Sequence, residues 1–174
     1  MSLTEDTELT GPRASPPKIS IIGAGMVGAT IAYSLTVEQL ASELVLLDVD
    51  MDRARGEARD INHALPFLAP TKVLAGDYEA CRGSDIIVIT AGAAQKPGES
   101  RLDLTKKNYA IYRDIIPRVG EVAGDALIVV VSNPVDVLTY ATVQLSDLPP
   151  EHVIGSGTVL DTARFRYELS AHCG

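Results

Sequence analysis

The sequence predicts an α/β fold, a parallel sheet doubly wound by helices, and three observations carry that prediction. From Lys18 onward, short apolar runs alternate with helical stretches. The runs are continuous in Val, Ile and Leu instead of alternating with polar residues, as strands covered on both faces require. A glycine-rich turn, Gly23-Ala24-Gly25-Met26-Val27-Gly28, joins the first run to the first helical stretch. Such a fold gathers its ligand at the carboxyl ends of the strands.

Met1 to Pro17 is polar, carries prolines and has no periodicity, so residues 1–17 read as a disordered leader. Lys18 to Ile22 reads as the first strand and Ala29 to Leu35 as part of the helix after the turn. Glu43 to Leu47 reads as the second strand, Asp52 to Leu65 as a helix, and Lys72 to Ala75 as the third strand. Ile86 to Thr90 is the fourth strand and Leu102 to Ala123 a long helix. Leu127 to Val131 is the fifth strand, Val135 to Leu145 a helix, and Val153 to Gly155 a short sixth strand. Thr158 to His172 reads as the last helix.

Composition narrows the function. With 174 residues and 46% hydrophobic content the chain can bury a sizeable core, and about one domain is expected. A net charge of −8 argues against a nucleic-acid or anionic membrane partner. No apolar run approaches the ~20 residues of a membrane span, and the first fifteen residues lack a basic, apolar secretory leader. Cys81 and Cys173 fit two reduced thiols in the cytoplasm better than a disulfide framework.

The glycine turn gives the fold a ligand. Backbone N–H groups at a helix start, aided by the helix dipole, suit an anion. Gly23 permits the tight turn, Gly25 lets a pyrophosphate approach, and Gly28 lets helix and strand pack closely. By itself the pattern could be packing alone. Asp48 ends the second strand, twenty residues beyond Gly28, where a carboxylate takes the ribose hydroxyls of NAD. Asp50 and Asp52 follow it, so a 2′-phosphate would meet negative charge, and NAD is expected over NADP.

Four polar clusters follow strand ends or lie on helices. Thr90 to Arg101 contains Gly92, small enough for a cofactor to lie against, and a Pro97-Gly98 break before Arg101. Such a loop can close over a site and carry Arg101 to a substrate, or it is a solvated basic loop. Ser132-Asn133-Pro134-Val135-Asp136 offers the Asn133 carboxamide at a strand end, although asparagine before proline also starts helices. Asp161 and Arg164, ~60° apart around the last helix, share a face. The arginine can grip a carboxylate bidentately, or the two can form an ordinary intrahelical pair. Arg166 lies roughly 200° around the axis from Arg164 and cannot serve the same pocket. Asp60 and His63 are three apart on a helix, and two ligands make a poor metal site, so no metal is expected.

Together these segments resemble the lactate/malate dehydrogenase family, most closely its bacterial L-lactate dehydrogenase branch, from about Lys18 to Leu169. The likeness rests on the glycine turn, Asp48, Asp60-Ile61-Asn62-His63-Ala64, Thr90-Ala91-Gly92-Ala93, Gln95 to Arg101, Ser132 to Asp136 and Gly155 to Arg164. It implies a Rossmann domain over residues 18–155, with 156–174 opening a second, substrate domain. It also implies NAD as cofactor, a small 2-oxo or 2-hydroxy acid as substrate, and a homo-oligomer, tetrameric in full-length members. By resemblance, Arg101 polarises the substrate carbonyl, Arg164 clamps its carboxylate, and Asn133 bonds substrate and cofactor. Asp161 orients the catalytic histidine. Gln95 holds the position where malate dehydrogenases usually carry arginine. Val27, Asp48, Arg53, Tyr78, Gly92, Ala93, Val131 and Ser156 match positions lining the NAD site. Asp114 departs from the serine or threonine that relatives often carry there. Arg166 resembles an arginine that binds fructose 1,6-bisphosphate at a subunit interface.

The family's acid–base histidine matches no residue of this chain, since His63, His152 and His172 all lie elsewhere in the pattern. The expectation is therefore L-lactate dehydrogenase chemistry in a chain that is catalytically incomplete alone. The alternatives are a malate dehydrogenase, or a non-catalytic module that binds NAD or partner subunits.

Overall fold

The computed structural model describes residues 16–68 and 70–173. The leader expected over 1–17 therefore lies, apart from Pro16 and Pro17, outside the described residues. The strands are β1 (Lys18–Ile22), β2 (Glu43–Leu47), β3 (Lys72–Ala75), β4 (Ile86–Ile89), β5 (Leu127–Val130) and β6 (Val153–Gly155). The α-helices are α1 (Met26–Val37), α2 (Met51–Ala64), α3 (Arg101–Ala123), α4 (Val135–Leu145) and α5 (Val159–Cys173). All strand pairings are parallel, in the order β3-β2-β1-β4-β5-β6. This is the expected doubly wound sheet, and its strand order reverses between β1 and β4.

Strand residues divide between two cores by simple alternation. Ile19, Ile21, Leu44, Leu46 and Val88 pack with Ala32 of α1 and Ala54, Ala58 and Ile61 of α2. Ile22, Val45, Leu47, Ile87 and Ile89 face the other way, onto Tyr112, Ile116 and Val119 of α3 and Leu138 of α4. Burying each such aliphatic side chain contributes about 1.5–3 kcal/mol. Both faces must be covered, and the continuous apolar composition of the strands follows from that requirement.

The helices approach the sheet differently. The buried residues of α1 are Gly28, Ala32 and Thr36, all small, so its backbone comes close to β1. By contrast, α3 buries Tyr112, Ile115, Ile116, Val119 and Val122, and stands off on long side chains. It continues through Pro117, the periodicity of its buried face outweighing one forgone backbone bond. No residue of α5 is buried, and Phe165 and Tyr167 are 67% and 72% exposed. Boundaries shift by a few residues from the sequence reading: α1 begins at Met26, α3 at Arg101, and β4 and β5 end one residue early.

The close approach of α1 makes Gly28 a structural requirement. A Cβ added there would lie 1.9 Å from the Gly23 carbonyl oxygen and 2.8 Å from Thr90 Oγ1. Gly28→Ala should therefore cost about 1–3 kcal/mol through forced backbone shifts. Gly56, inside α2, would carry a Cβ with nothing within 4 Å, and Gly56→Ala should gain about 0.5–1 kcal/mol. Urea midpoints of the two variants should move in opposite directions. An unchanged midpoint for Gly28→Ala would contradict the packing argument.

Candidate cofactor site

The sheet register aligns the candidate residues at one edge. Leu47, Ile22, Ile89, Val130 and Gly155 form a single row across β2, β1, β4, β5 and β6. The next residue on each strand is Asp48, Gly23, Thr90, Val131 or Ser156. Five segments far apart in sequence thus present their carboxyl ends side by side, at and around the point where strand order reverses.

At the centre is the glycine turn. Gly23 has φ +107°, a left-handed conformation that favours glycine, and its N–H donates to the Leu47 carbonyl at 2.7 Å. A Cβ at Gly23 would lie 2.6 Å from Ala91 N, so β4 abuts the turn. Gly25 differs: a Cβ there would meet nothing within 4 Å, which leaves open space over the start of α1. That start has no side-chain cap and no acidic residue in its first turn. The N-termini of α2 and α3 are satisfied instead by Asp50 and by a Ser100–Asp103 capping box. Without such a cap, the first N–H groups of α1 are open to an anion, and the open approach over Gly25 fits a pyrophosphate.

Asp48 is half-buried beside this turn. Its carboxylate accepts the Ala24 N–H at 2.7 Å and the Asp50 N–H at 2.9 Å, which fixes its direction and leaves lone pairs for a ribose diol. The next two acids are otherwise engaged. Asp50 caps α2 and lies 3.8 Å from Arg53, and Asp52 pairs with Arg55 at 3.0 Å. Asp48 is thus the acid held at the strand end, and Arg53 lies one turn into α2.

Beyond β4 and β5 the loops are tied to each other. Thr90 Oγ1 donates to the Gly23 carbonyl at 2.7 Å, and Ser132 Oγ donates to the Ala91 carbonyl at 2.7 Å. Asn108, buried on α3, accepts the Ala93 N–H at 2.7 Å and donates to the Asn133 carbonyl at 2.7 Å. Gly92 and Ala93 are exposed, Val131 and Ser156 half-buried, and the Asn133 carboxamide is exposed. The Asn133–Pro134 peptide is cis. One turn further along α3, Tyr112 is fully buried, and burial pushes its pKa up to about 12. Its hydroxyl lies beside Ser132 but meets hydrogen-bond geometry with no described group. The sequence reading missed Asn108 and Tyr112. The available signal was a polar Asn in line with the apolar positions Tyr112, Ile115, Val119 and Val122 of one helix face.

The loop before α3 is folded back on itself. Gln95 Nε2 donates to the Glu99 carbonyl at 2.8 Å, and the Glu99 carboxylate accepts the Lys96 N–H at 2.9 Å while pairing with Lys107. Lys107, followed by the Lys96 N–H, holds the Glu99 carboxyl below the usual carboxylate range. Arg101, the first residue of α3, is exposed and makes no ion pair among the described residues. On α5, Arg164 donates to Asp161 at 3.2 Å, both exposed, and Arg166 is exposed as well. Among the described residues no hydrogen bond or ion pair joins Arg101, Asn133 and Arg164. Further along α3, Arg118 stacks over the half-buried Tyr78 with 5.6 Å to the ring centroid, and Asp114 pairs with Arg118 at 3.2 Å. The Asp114 side chain is therefore engaged along its own helix.

Comparison with known proteins agrees with this geometry. Residues 17–155 match the family described as lactate/malate dehydrogenase, NAD binding domain. An L-lactate dehydrogenase of Thermoanaerobacter pseudethanolicus is 56% identical over 156 residues, covering 90% of this chain and 50% of the relative. L-lactate dehydrogenase 1 of Clostridium acetobutylicum is 56% identical over 155 residues, covering 89% and 50%. Among solved structures, the minor L-lactate dehydrogenase of Enterococcus mundtii in a ligand-bound form superposes with a TM-score of 0.85 at 43% identity. It covers 91% of this chain and 51% of that one. A lactate dehydrogenase from a Medee basin deep-sea metagenome library gives a TM-score of 0.84 at 43% identity, covering 90% and 50%. The chain spans about half the length of the curated relatives it matches. With the NAD-binding domain model matched over residues 17–155, this chain belongs to the lactate/malate dehydrogenase family and carries its NAD-binding domain.

Proposed function

We propose that the chain serves NAD-dependent interconversion of pyruvate and L-lactate. The observation that carries this reading is the strand-end row of Gly23, Asp48, Val131 and Ser156 beside the uncapped start of α1. NAD, when bound, supplies the hydride chemistry. Gly23, Gly25, Val27 and Gly28 form the pyrophosphate turn, and Asp48 and Arg53 bound the ribose. Tyr78, Gly92, Ala93, Val131, Asn133 and Ser156 complete the lining. Arg101 stabilises charge developing on the substrate carbonyl oxygen, and Arg164 holds the carboxylate through two parallel bonds. Asn133 orients the substrate, and Asp161 holds a histidine in its reactive orientation. For Arg164, the Asp161 pair must give way first, which is inexpensive for an exposed pair.

The lactate reading over malate rests on Gln95, a neutral residue in an exposed loop. A methyl-bearing substrate leaves no charge unpaired there, whereas oxaloacetate brings a second carboxylate. The same reading includes a homo-oligomer, tetrameric as in full-length members, in the cytoplasm. It also includes Arg166 at a fructose 1,6-bisphosphate site on a subunit interface, and residues 156–174 as the opening of the substrate domain.

Gly25→Ala should weaken NADH binding at least about tenfold while leaving the urea midpoint unchanged, because the new methyl occupies ligand space and touches no protein atom. Asp48→Ala should cost NADH about 1.5–3 kcal/mol and leave NADPH little changed or improved. Asp48→Asn keeps an acceptor for the Ala24 N–H but loses the one for the Asp50 N–H, and should move the cofactor preference in the same direction as Asp48→Ala; urea midpoints of the two variants separate charge from loop damage. Fluorescence titration measures all of these, and equal NADH affinity in parent and Asp48 variants would refute the ribose assignment.

Gln95→Arg tests the substrate. In a chimera continuing this chain with the second half of a matched L-lactate dehydrogenase, it should shift kcat/KM from pyruvate toward oxaloacetate by roughly 10- to 150-fold. A parent chimera that already prefers oxaloacetate makes this a malate dehydrogenase.

A further inference from the structure

We propose that Asn108 is the positioning residue that clamps the loops after β4 and β5 and thereby sets the reacting end of the cofactor site. The proposal rests on the NAD reading above and adds a residue that reading does not contain. Asn108 is 2% exposed in the middle of α3, where a polar side chain has to find partners or carry a desolvation cost. It finds one on each loop. Its Oδ1 accepts the Ala93 N–H at 2.7 Å, and its Nδ2 donates to the Asn133 carbonyl at 2.7 Å, with the Ala93 carbonyl at 3.5 Å. The amide orientation is fixed by chemistry, since the Ala93 N–H can only donate and the Asn133 carbonyl can only accept.

The site accepts few other side chains. Aspartate keeps the acceptor for Ala93 but sets a second oxygen against the Asn133 carbonyl. Leucine fills the volume and leaves a buried N–H and a C=O without partners. The backbone has adapted to the amide as well: a Cβ on Gly92 would come within 3.3 Å of Asn108 Nδ2, so glycine there lets the loop close on it. Ser132 Oγ, bonded to the Ala91 carbonyl at 2.7 Å, ties the same two loops a few residues away. Between them, Ser132 and Asn108 hold residues 91–93 from two sides, while residues 92–98 are otherwise exposed. Asn108 bonds only the backbone of Asn133, which leaves the Asn133 carboxamide free to turn toward bound molecules. Its partners follow β4 and β5, on the opposite side of β1 from Asp48 at the end of β2, so its influence should fall on the end of the cofactor away from the Asp48-bound ribose.

That asymmetry supplies the test. NADH and ADP-ribose, which lacks the nicotinamide, are titrated against the 174-residue chain and its Asn108→Asp and Asn108→Ser variants. Amide exchange across residues 91–101 is followed in the same proteins without ligand. We expect NADH to weaken roughly tenfold or more in both variants and ADP-ribose to stay within about twofold. Exchange at Ala93 should accelerate at least about tenfold in Asn108→Ser, whose short hydroxyl cannot reach as the amide does, and not in Asn108→Asp, which keeps the acceptor. Parallel loss of both ligands with a lowered urea midpoint would reduce Asn108 to a folding residue and overturn the proposal. Unchanged exchange at Ala93 in Asn108→Ser would overturn it too. A parent that binds neither ligand sinks the NAD reading instead, and the exchange rates then still decide whether Asn108 clamps the loops.

Discussion

The whole site depends on how closely α1 packs against the end of β1. At Gly28 the helix passes so near the turn that a single methyl would overlap the Gly23 carbonyl oxygen. The contact sets the position of the α1 N-terminus relative to the strand-end row, and so where unsatisfied N–H groups meet an anion. It also determines why α1 buries only small residues: any larger side chain on that face would lift the helix off the sheet and its N-terminus off the row. On the opposite face, α3 and α4 meet the sheet through long apolar side chains that can repack, although α3 itself passes close to the end of α4 at Gly120.

Most of this was legible in the sequence because each element carries its own local signal. Continuous Val, Ile and Leu runs marked all six strands, and the glycine spacing with Asp48 marked the turn and the acid. Residues that depend on tertiary placement were harder to see. Asn108 is fifteen residues from Ala93 and twenty-five from Asn133, on opposite sides in sequence, so no local window contains both partners. The early start of α1 at Met26 follows from an uncapped N-terminus, which by construction offers no capping residue to read. Asp114 stands out in the sequence only as a departure from the serine or threonine of relatives, whereas the fold pairs it with Arg118, which stacks on Tyr78.

The two ends of the site are built to different standards. The Gly23–Asp48 end is made of backbone and of a carboxylate fixed by two N–H donors. The Gln95–Arg101 loop is held by side-chain contacts, chiefly the pair between the covered Glu99 carboxylate and the exposed Lys107 and the Gln95 bond to the Glu99 carbonyl. These contacts join the loop to itself and to the second turn of α3, and under the proposed function the loop closes over a substrate. Asn108 stands where the two standards meet, joining a rigid helix to the first residues of the adaptable loop. A fixed cradle with a movable flank is a physical basis for holding one cofactor while allowing substrates to exchange.

The most direct test of this account is a calorimetric titration of the 174-residue chain with NADH and with NADPH under the same conditions. The account predicts one NADH per chain, with NADPH at least about tenfold weaker because its 2′-phosphate faces the Asp48 carboxylate. Equal affinities, or no binding of NADH at all, would contradict it.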